Sequence, residues 1–403
     1  MFSDSIEHRR TPERSRSIAR RLTSGGTTLM ILLLVACGDS SGPDGAAEGA
    51  TLSGIVRTAG GPAVLEGVTI SGGGQQATSD AGGHFELTNL PVGPATVRAE
   101  RPGYLPAEDL VSISAGANTH DFVMSAQEIF VSEPYATYVP AGVGPLRGVI
   151  ISLGGGVTTS GFVTGGNLEG TGELEESLQA LGASLRTLTK SAHVALLGTT
   201  IERLANSAAS DDALFTAMAR VAGLSGHPEL AAAPVLTFGL DAGSAEAIGL
   251  ALRHPERAIG VIVRVPTSVP DLTAPSALAV PTFVMLSELD DLVDNGQIQA
   301  TFAANRSRGG LWALAVEPGI QHAAATATGN AANVGWIATA LALRLPAAMG
   351  DPLVTLDEAS GWLGNQTTLE IAPWADYPGS RSAASWLLSE SAAISWRGLG
   401  GAD

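Results

Sequence analysis

The chain has 403 residues, 45% hydrophobic and 15% charged, with 22 Lys and Arg against 39 Asp and Glu and a net charge of −17. Such an acidic excess argues against nucleic acid and other polyanions, whose binding needs clustered Lys and Arg. Cys37 is the single cysteine, which excludes an internal disulfide, so stability has to come from buried apolar surface.

The N-terminal segment carries Arg9, Arg10, Arg14, Arg16, Arg20 and Arg21, then an apolar run from Leu29 to Ala36. That run is too short to span a bilayer, which takes about 20 apolar residues. A basic region, an apolar core and a small-residue exit describe a secretory signal over residues 1–36. The exit Leu34-Val35-Ala36-Cys37 resembles the bacterial lipobox. The resemblance implies cleavage before Cys37, lipidation of Cys37 and a membrane partner reached through that lipid. Gly38 at the next position points to the outer membrane where a cell has two. Residues 37–50 are small, polar and rich in Gly and Pro, as in Ser41-Gly42-Pro43-Asp44-Gly45, and read as a flexible tether.

From 51 to 125 apolar and polar residues alternate between turn signals, the pattern of half-buried strands. Strands are expected at 52–56, 68–70, 84–87, 95–99, 111–113 and 122–124, with Asp80-Ala81-Gly82-Gly83 as a tight turn. About seven strands without a helix imply a small β-sandwich. Ser53-Gly54-Ile55-Val56, Asp80 to Phe85, Leu90-Pro91-Val92-Gly93 and Pro102-Gly103-Tyr104, in that order, resemble the carboxypeptidase regulatory-like domain, a transthyretin-like sandwich classed with carbohydrate-binding-like folds. The resemblance implies a non-catalytic accessory module. Phe85 and Tyr104 fall at core positions, which leaves no aromatic platform for a sugar. His84 and His120 lack neighbours with metal-ligand spacing, so no metal or cofactor is expected.

From 128 to 347 strands and helices alternate. Apolar strands are expected at 148–153, 192–198, 234–239, 259–263, 281–286 and 311–316. Helices are expected at 173–188, at 211–224 with Ser210 as N-cap, at 244–254 and at 331–345. Apolar strands linked by helices make a doubly wound, mostly parallel sheet, the α/β class. His193 then falls in a core strand, and His227 and His254 at helix ends.

The junction Gly239-Leu240-Asp241-Ala242-Gly243 carries the chemistry. Small residues flank a central side chain at a sharp strand-to-helix turn, as in a nucleophile elbow. The segment around it, through Arg253-His254-Pro255-Glu256-Arg257, resembles an α/β-hydrolase of the esterase or depolymerase kind. The resemblance implies a triad of Asp241 at the nucleophile position, Asp290 as the acid after a late strand, and His322 as the base after the last strand. Gly154, Gly155 and the Ala242 amide would then form the oxyanion hole, and the substrate would be a small or polymeric ester. Asp291 and Asp294 are neighbouring acids that compete with Asp290 for the orienting role.

The family's usual serine is absent, and three readings of Asp241 follow. The first is an ester hydrolase with Asp at the nucleophile position. The second is a degenerate hydrolase acting as a surface binding or carbohydrate-binding scaffold. The third is Asp attack on carbon, as in haloalkane dehalogenases and epoxide hydrolases. Ala242 replaces the Trp those enzymes resemble one another in having, and residues 267–280 are too few for their cap domain. Ser244 lies a turn into the helix with Glu246 where the elbow needs Gly.

Residues 348–403 hold four of the six tryptophans: Trp362, Trp374, Trp386 and Trp396. Clustered Trp without charge or repeat indicates packing over the core. The functional alternative puts Trp362 or Trp374 at the rim of the active-site cleft.

Overall fold

The computed structural model describes residues 49–154, 159–165, 173–199, 205–322 and 326–400. Cys37 and Gly155, named above for lipidation and the oxyanion hole, lie outside them, as do residues 1–48, where the signal and most of the tether are expected. Residues 48–403 form one compact unit. Among the described residues no helix is long and apolar enough to cross a membrane.

The sandwich has eight strands: β1 (Ala50–Thr58), β2 (Thr69–Gly72), β3 (Gln75–Thr78), β4 (His84–Leu90), β5 (Gly93–Glu100), β6 (Ala107–Ile113), β7 (Ala117–Thr119) and β8 (Phe122–Met124). One sheet pairs β4, β7 and β8 with β1, and the other runs β3-β2-β5-β6. Alternation puts Leu52, Val56, Phe85, Leu87, Val97 and Ala99 into the core between them. The Asp80 carboxylate closes its turn by accepting the Gly82 amide at 2.9 Å and the His84 amide at 2.8 Å, and Gly83 takes a positive φ of 74°. Tyr104 is half-buried, packing against the edge of this core with Arg101 over its ring at 5.3 Å. His120 Nε2 bonds Asp109 at 2.9 Å.

The second domain is an eight-stranded mixed sheet in the order β16-β15-β14-β13-β11-β12-β10-β9. Its strands are β9 (Ile129–Ser132), β10 (Tyr135–Tyr138), β11 (Gly148–Gly154), β12 (Val194–Thr199), β13 (Val235–Leu240), β14 (Ala258–Arg264), β15 (Thr282–Leu289) and β16 (Trp312–Gln321). β11 to β16 are parallel, while β9 and β10 form an antiparallel margin in a stretch of the α/β domain where the sequence pattern predicts no strand. Helices are α1 (Ser160–Thr164), α2 (Glu173–Ala192), α3 (Ala208–Ser225), α4 (Gly243–Arg253), α5 (Pro275–Leu278), α6 (Asn295–Ser307) and α7 (Ala327–Arg344). They cover both faces. Ile150, Leu196, Leu236 and Ile262 meet α1, α2 and α7, and Ile151, Leu197, Val235 and Val263 meet α3 to α6. Burial on both faces explains why these strands read as unbroken apolar runs. The architecture is a doubly wound, mostly parallel α/β sheet with helices on both faces.

Two local expectations are corrected. The N-cap of α3 is Ser207, whose hydroxyl accepts the Ser210 amide at 3.3 Å; Ser210 lies inside the first turn. His193 is exposed, with φ +53°, because α2 runs on to Ala192 and the chain must reverse before β12. Asp211 is buried in the first turn of α3, where it takes Arg253 Nη2 at 2.8 Å and His254 Nε2 at 3.1 Å. His254 is thus a structural partner.

The two domains join at Pro102-Gly103-Tyr104. The Gly103 amide donates to Leu224 O at 2.9 Å, and a Cβ on Gly103 would stand 2.7 Å from Ser225 O. Its φ of +80° and this close approach account for glycine there. Leu224 lies at the end of α3, on the side where the parallel strands begin.

The tryptophan-rich extension folds as β17 (Trp362–Gly364), β18 (Ile371–Pro373), β19 (Ser385–Leu387) and α8 (Glu390–Leu399). It lies on β16, the outer strand of the large sheet, whose backbone groups need partners. Leu314 N donates to Ser385 Oγ at 2.8 Å, and Leu314 O accepts Trp396 Nε1 at 2.6 Å and Gln366 Nε2 at 2.9 Å. Side chains therefore close this sheet margin where another strand would otherwise pair. Trp386 and Trp396 are buried. Trp374 lines a depression with Arg306, Glu358 and Tyr377 beside the start of β16, so it is not on the rim next to Asp241.

Candidate active site

Asp241, Asp290 and His322 follow β13, β15 and β16, all at the side where the parallel strands end. Asp241 has φ +50°, a left-handed conformation uncommon outside glycine, for which Asp is among the better-tolerated residues. Its amide donates to Arg264 O at 3.0 Å, and its carbonyl accepts the Ser244 amide at 2.9 Å. The two flanking glycines are required by contact. A Cβ on Gly239 would lie 2.6 Å from Ser244 Cα, and one on Gly243 would collide with Leu153 O. Strand, turn and helix thus approach as closely as an elbow demands, and the turn presents the Asp241 side chain.

His322 links the two acids. Its Nδ1 stands 2.8 Å from Asp290 Oδ2, and its Nε2 stands 3.6 Å from Asp241 Oδ1. The first is a hydrogen bond; the second is too long for one, though catalytic contacts commonly tighten only when substrate is bound. The Asp290 carboxylate is 0% exposed, and its Oδ1 accepts the amides of Leu292 at 3.0 Å and Val293 at 3.2 Å. Both of its oxygens are therefore fixed. Asp294 instead caps α6, accepting the Gln297 amide at 3.0 Å, and Asp291 is exposed, so Asp290 alone of the three acids meets His322.

Gly154 pairs with Leu240 across β11 and β13, directly beside the turn. Ala242 stands at the N-cap of α4 with no side-chain cap hydrogen bond. Ser244 is fully buried, and its Oγ stands 3.5 Å from Arg264 O. Among the described residues no group of His, Cys, Asp and Glu is arranged to hold a metal ion.

The sequence reading missed a buried ion pair under the site. Arg264, the last residue of β14, donates through Nη2 to Glu317 Oε2 on β16 at 2.7 Å. The two are 2% and 4% exposed. Burial lowers the Arg264 guanidinium pKa, and Glu317 works against that shift. Glu317 Oε1 also accepts Thr326 Oγ1 at 2.6 Å, the residue that caps α7. The available signal was a pair of opposite charges, each closing an apolar strand.

Residues 51–125 match the family described as carboxypeptidase regulatory-like domain. No curated protein matches the chain. Among solved structures the chain is similar to esterase PE8, at 17% identity over 52% of this chain and 98% of that one, with a TM-score of 0.34. It is similar to an arylesterase at 17% identity, over 53% of this chain and 83% of the other, with a TM-score of 0.34. It also resembles a type II cohesin–X–dockerin complex from Acetivibrio cellulolyticus, at 26% identity over 20% of this chain, with a TM-score of 0.19. The chain spans 60% of the length of that last protein.

Proposed function

We propose that residues 128–347 are a hydrolase working with Asp241, His322 and Asp290, acting on carboxylic esters with weakly basic leaving groups. The observation that carries this reading is His322, bonded through Nδ1 to Asp290 and directed through Nε2 toward Asp241, on an elbow that holds Asp241 at φ +50°. An acceptor at Nδ1 fixes the proton there and leaves the Nε2 lone pair free to act as a base.

In this reading the Asp241 carboxylate attacks the acyl carbon. A new C–O bond forms, and the bond to the leaving oxygen breaks. Amides of Ala242, Gly154 and Gly155 carry the negative charge that develops on the acyl oxygen. The product is an acyl-Asp241 anhydride. His322 Nε2 then takes a proton from water, which cleaves the anhydride and returns Asp241 as a carboxylate. An anhydride lies far above an alkyl ester in energy and less far above an aryl or enol ester, whose leaving oxygen is a weaker base, which sets the substrate class. Ala242 and the short 267–280 connection speak against attack at saturated carbon.

The chain is further proposed to be exported and held at a bacterial membrane, the outer one where two are present, by a lipid on Cys37, with the sandwich as an accessory module. Growth with labelled palmitate would mark wild type and leave Cys37→Ser unmarked.

The catalytic test is hydrolysis of p-nitrophenyl acetate by soluble protein starting at Gly38, beside Asp241→Ala and His322→Ala. Turnover lost in both variants supports the reading. Turnover absent in wild type, or equal in all three, supports a binding scaffold, in which Asp241 replaces a serine that no longer has work to do.

A further inference from the structure

The geometry points to Arg264 and Glu317 as positioning residues that set the distance between Asp241 and His322, an inference that rests on the hydrolase reading above. Asp241 hangs from Arg264: its amide donates to the Arg264 carbonyl at 3.0 Å. The Arg264 side chain crosses β15 and reaches Glu317 at 2.7 Å, so one residue holds the elbow with its backbone and β16 with its guanidinium. Glu317 in turn grips both ends of the segment that carries His322. It is itself the point where the segment leaves the core of β16, and its Oε1 holds Thr326, where α7 begins, at 2.6 Å.

The fit around the pair is tight. A Cβ on Gly329 would stand 2.8 Å from Arg264 Nη1 and 2.8 Å from Glu317 Oε1, so only glycine leaves the pair its space. Val265, which follows Arg264, is fully buried at φ +44°, a conformation that a β-branched residue avoids. The end of β14 is therefore held in a strained shape that the surrounding contacts maintain. A buried ion pair adds little stability compared with apolar residues of the same volume, but it fixes direction and length. Here that direction runs from the elbow to the histidine segment.

The test is the double variant Arg264→Met/Glu317→Leu, which removes both charges together so that neither is left buried alone. Its urea midpoint is expected to stay near that of wild type, while kcat on p-nitrophenyl acetate falls by about 100-fold with KM unchanged, the loss expected when reacting groups are misplaced by about 1 Å. A second readout needs no turnover. Asp241→Ala shifts the nitrogen resonance of His322 Nε2 in the wild-type background, and this response is expected to collapse in the double-variant background. A folded double variant with wild-type kcat, or with an undiminished response to Asp241→Ala, overturns the proposal. If wild type hydrolyses nothing, the hydrolase reading fails on that result alone and the resonance decides this one. If the double variant does not fold, Gly329→Ala decides instead. It pushes on the pair without removing a charge, and it is expected to lower kcat and the resonance response; if both are unchanged, the proposal is wrong.

Discussion

Asp290 holds His322 by one oxygen and is itself held by the other. Oδ2 meets Nδ1 at 2.8 Å, and Oδ1 takes the amides of Leu292 and Val293. The carboxylate can neither rotate nor trade partners, so the imidazole has one orientation. Asp290→Asn keeps the shape but offers an NH₂ or a weaker acceptor to Nδ1, which selects the wrong tautomer. Ester turnover is expected to fall by about 10³- to 10⁴-fold with little change in the thermal midpoint. A loss below tenfold would show that Asp290 does not orient the base.

Asp241 carries backbone strain in the service of its side chain. Asp241→Gly removes the left-handed penalty and is expected to raise stability by about 1 kcal/mol while abolishing hydrolysis. Urea unfolding of the two proteins checks the first part. A less stable glycine variant would mean that the Asp241 carboxylate contributes more to the fold than its backbone costs.

The margin of the large sheet at β16 depends on Ser385. Its hydroxyl accepts the Leu314 amide at 2.8 Å in a buried setting. Ser385→Ala leaves that amide without its acceptor, at a cost of about 1–3 kcal/mol. It also frees part of a strand margin for pairing with a second molecule, so light scattering on warming is expected to begin earlier than in wild type.

Glu229 gives the fold an acid-sensitive joint. Its carboxylate takes the Leu146 amide at 2.7 Å and His227 at 2.8 Å. Burial alone would raise its pKa, but the backbone bonds and His227 outweigh burial and hold it below its ordinary value of 4.5. A lowered folded value favours the folded state above pH 4.5, and that gain is lost as pH falls through the folded value. The difference in urea midpoint between wild type and Glu229→Gln is expected to be largest above pH 4.5 and to shrink below it. A difference independent of pH would rule this out.

Much of the architecture was legible because each element is driven by a local pattern. Strands buried on both faces read as apolar runs, and Gly239 and Gly243 announced a turn too tight for side chains. That Asp290 and His322 meet follows from position, since each comes directly after a strand at the end where the parallel strands finish. The antiparallel strands β9 and β10 were not, because Phe130-Val131-Ser132 and Tyr135-Ala136-Thr137 are too short to separate from a linker by period. His193 was misplaced because a helix end and a strand start adjoin there. The Arg264–Glu317 pair was missed because the two residues are 53 positions apart and meet only across β15. The tryptophans were read correctly as packing, but their role in closing β16 needed the sheet order.

The hook at Gly103 and Leu224 attaches the sandwich to the side of the sheet opposite Asp241 and His322. The sandwich therefore does not cover the end of the sheet that holds Asp241 and His322, and under the proposed hydrolase reading the α/β domain alone limits the girth of a substrate.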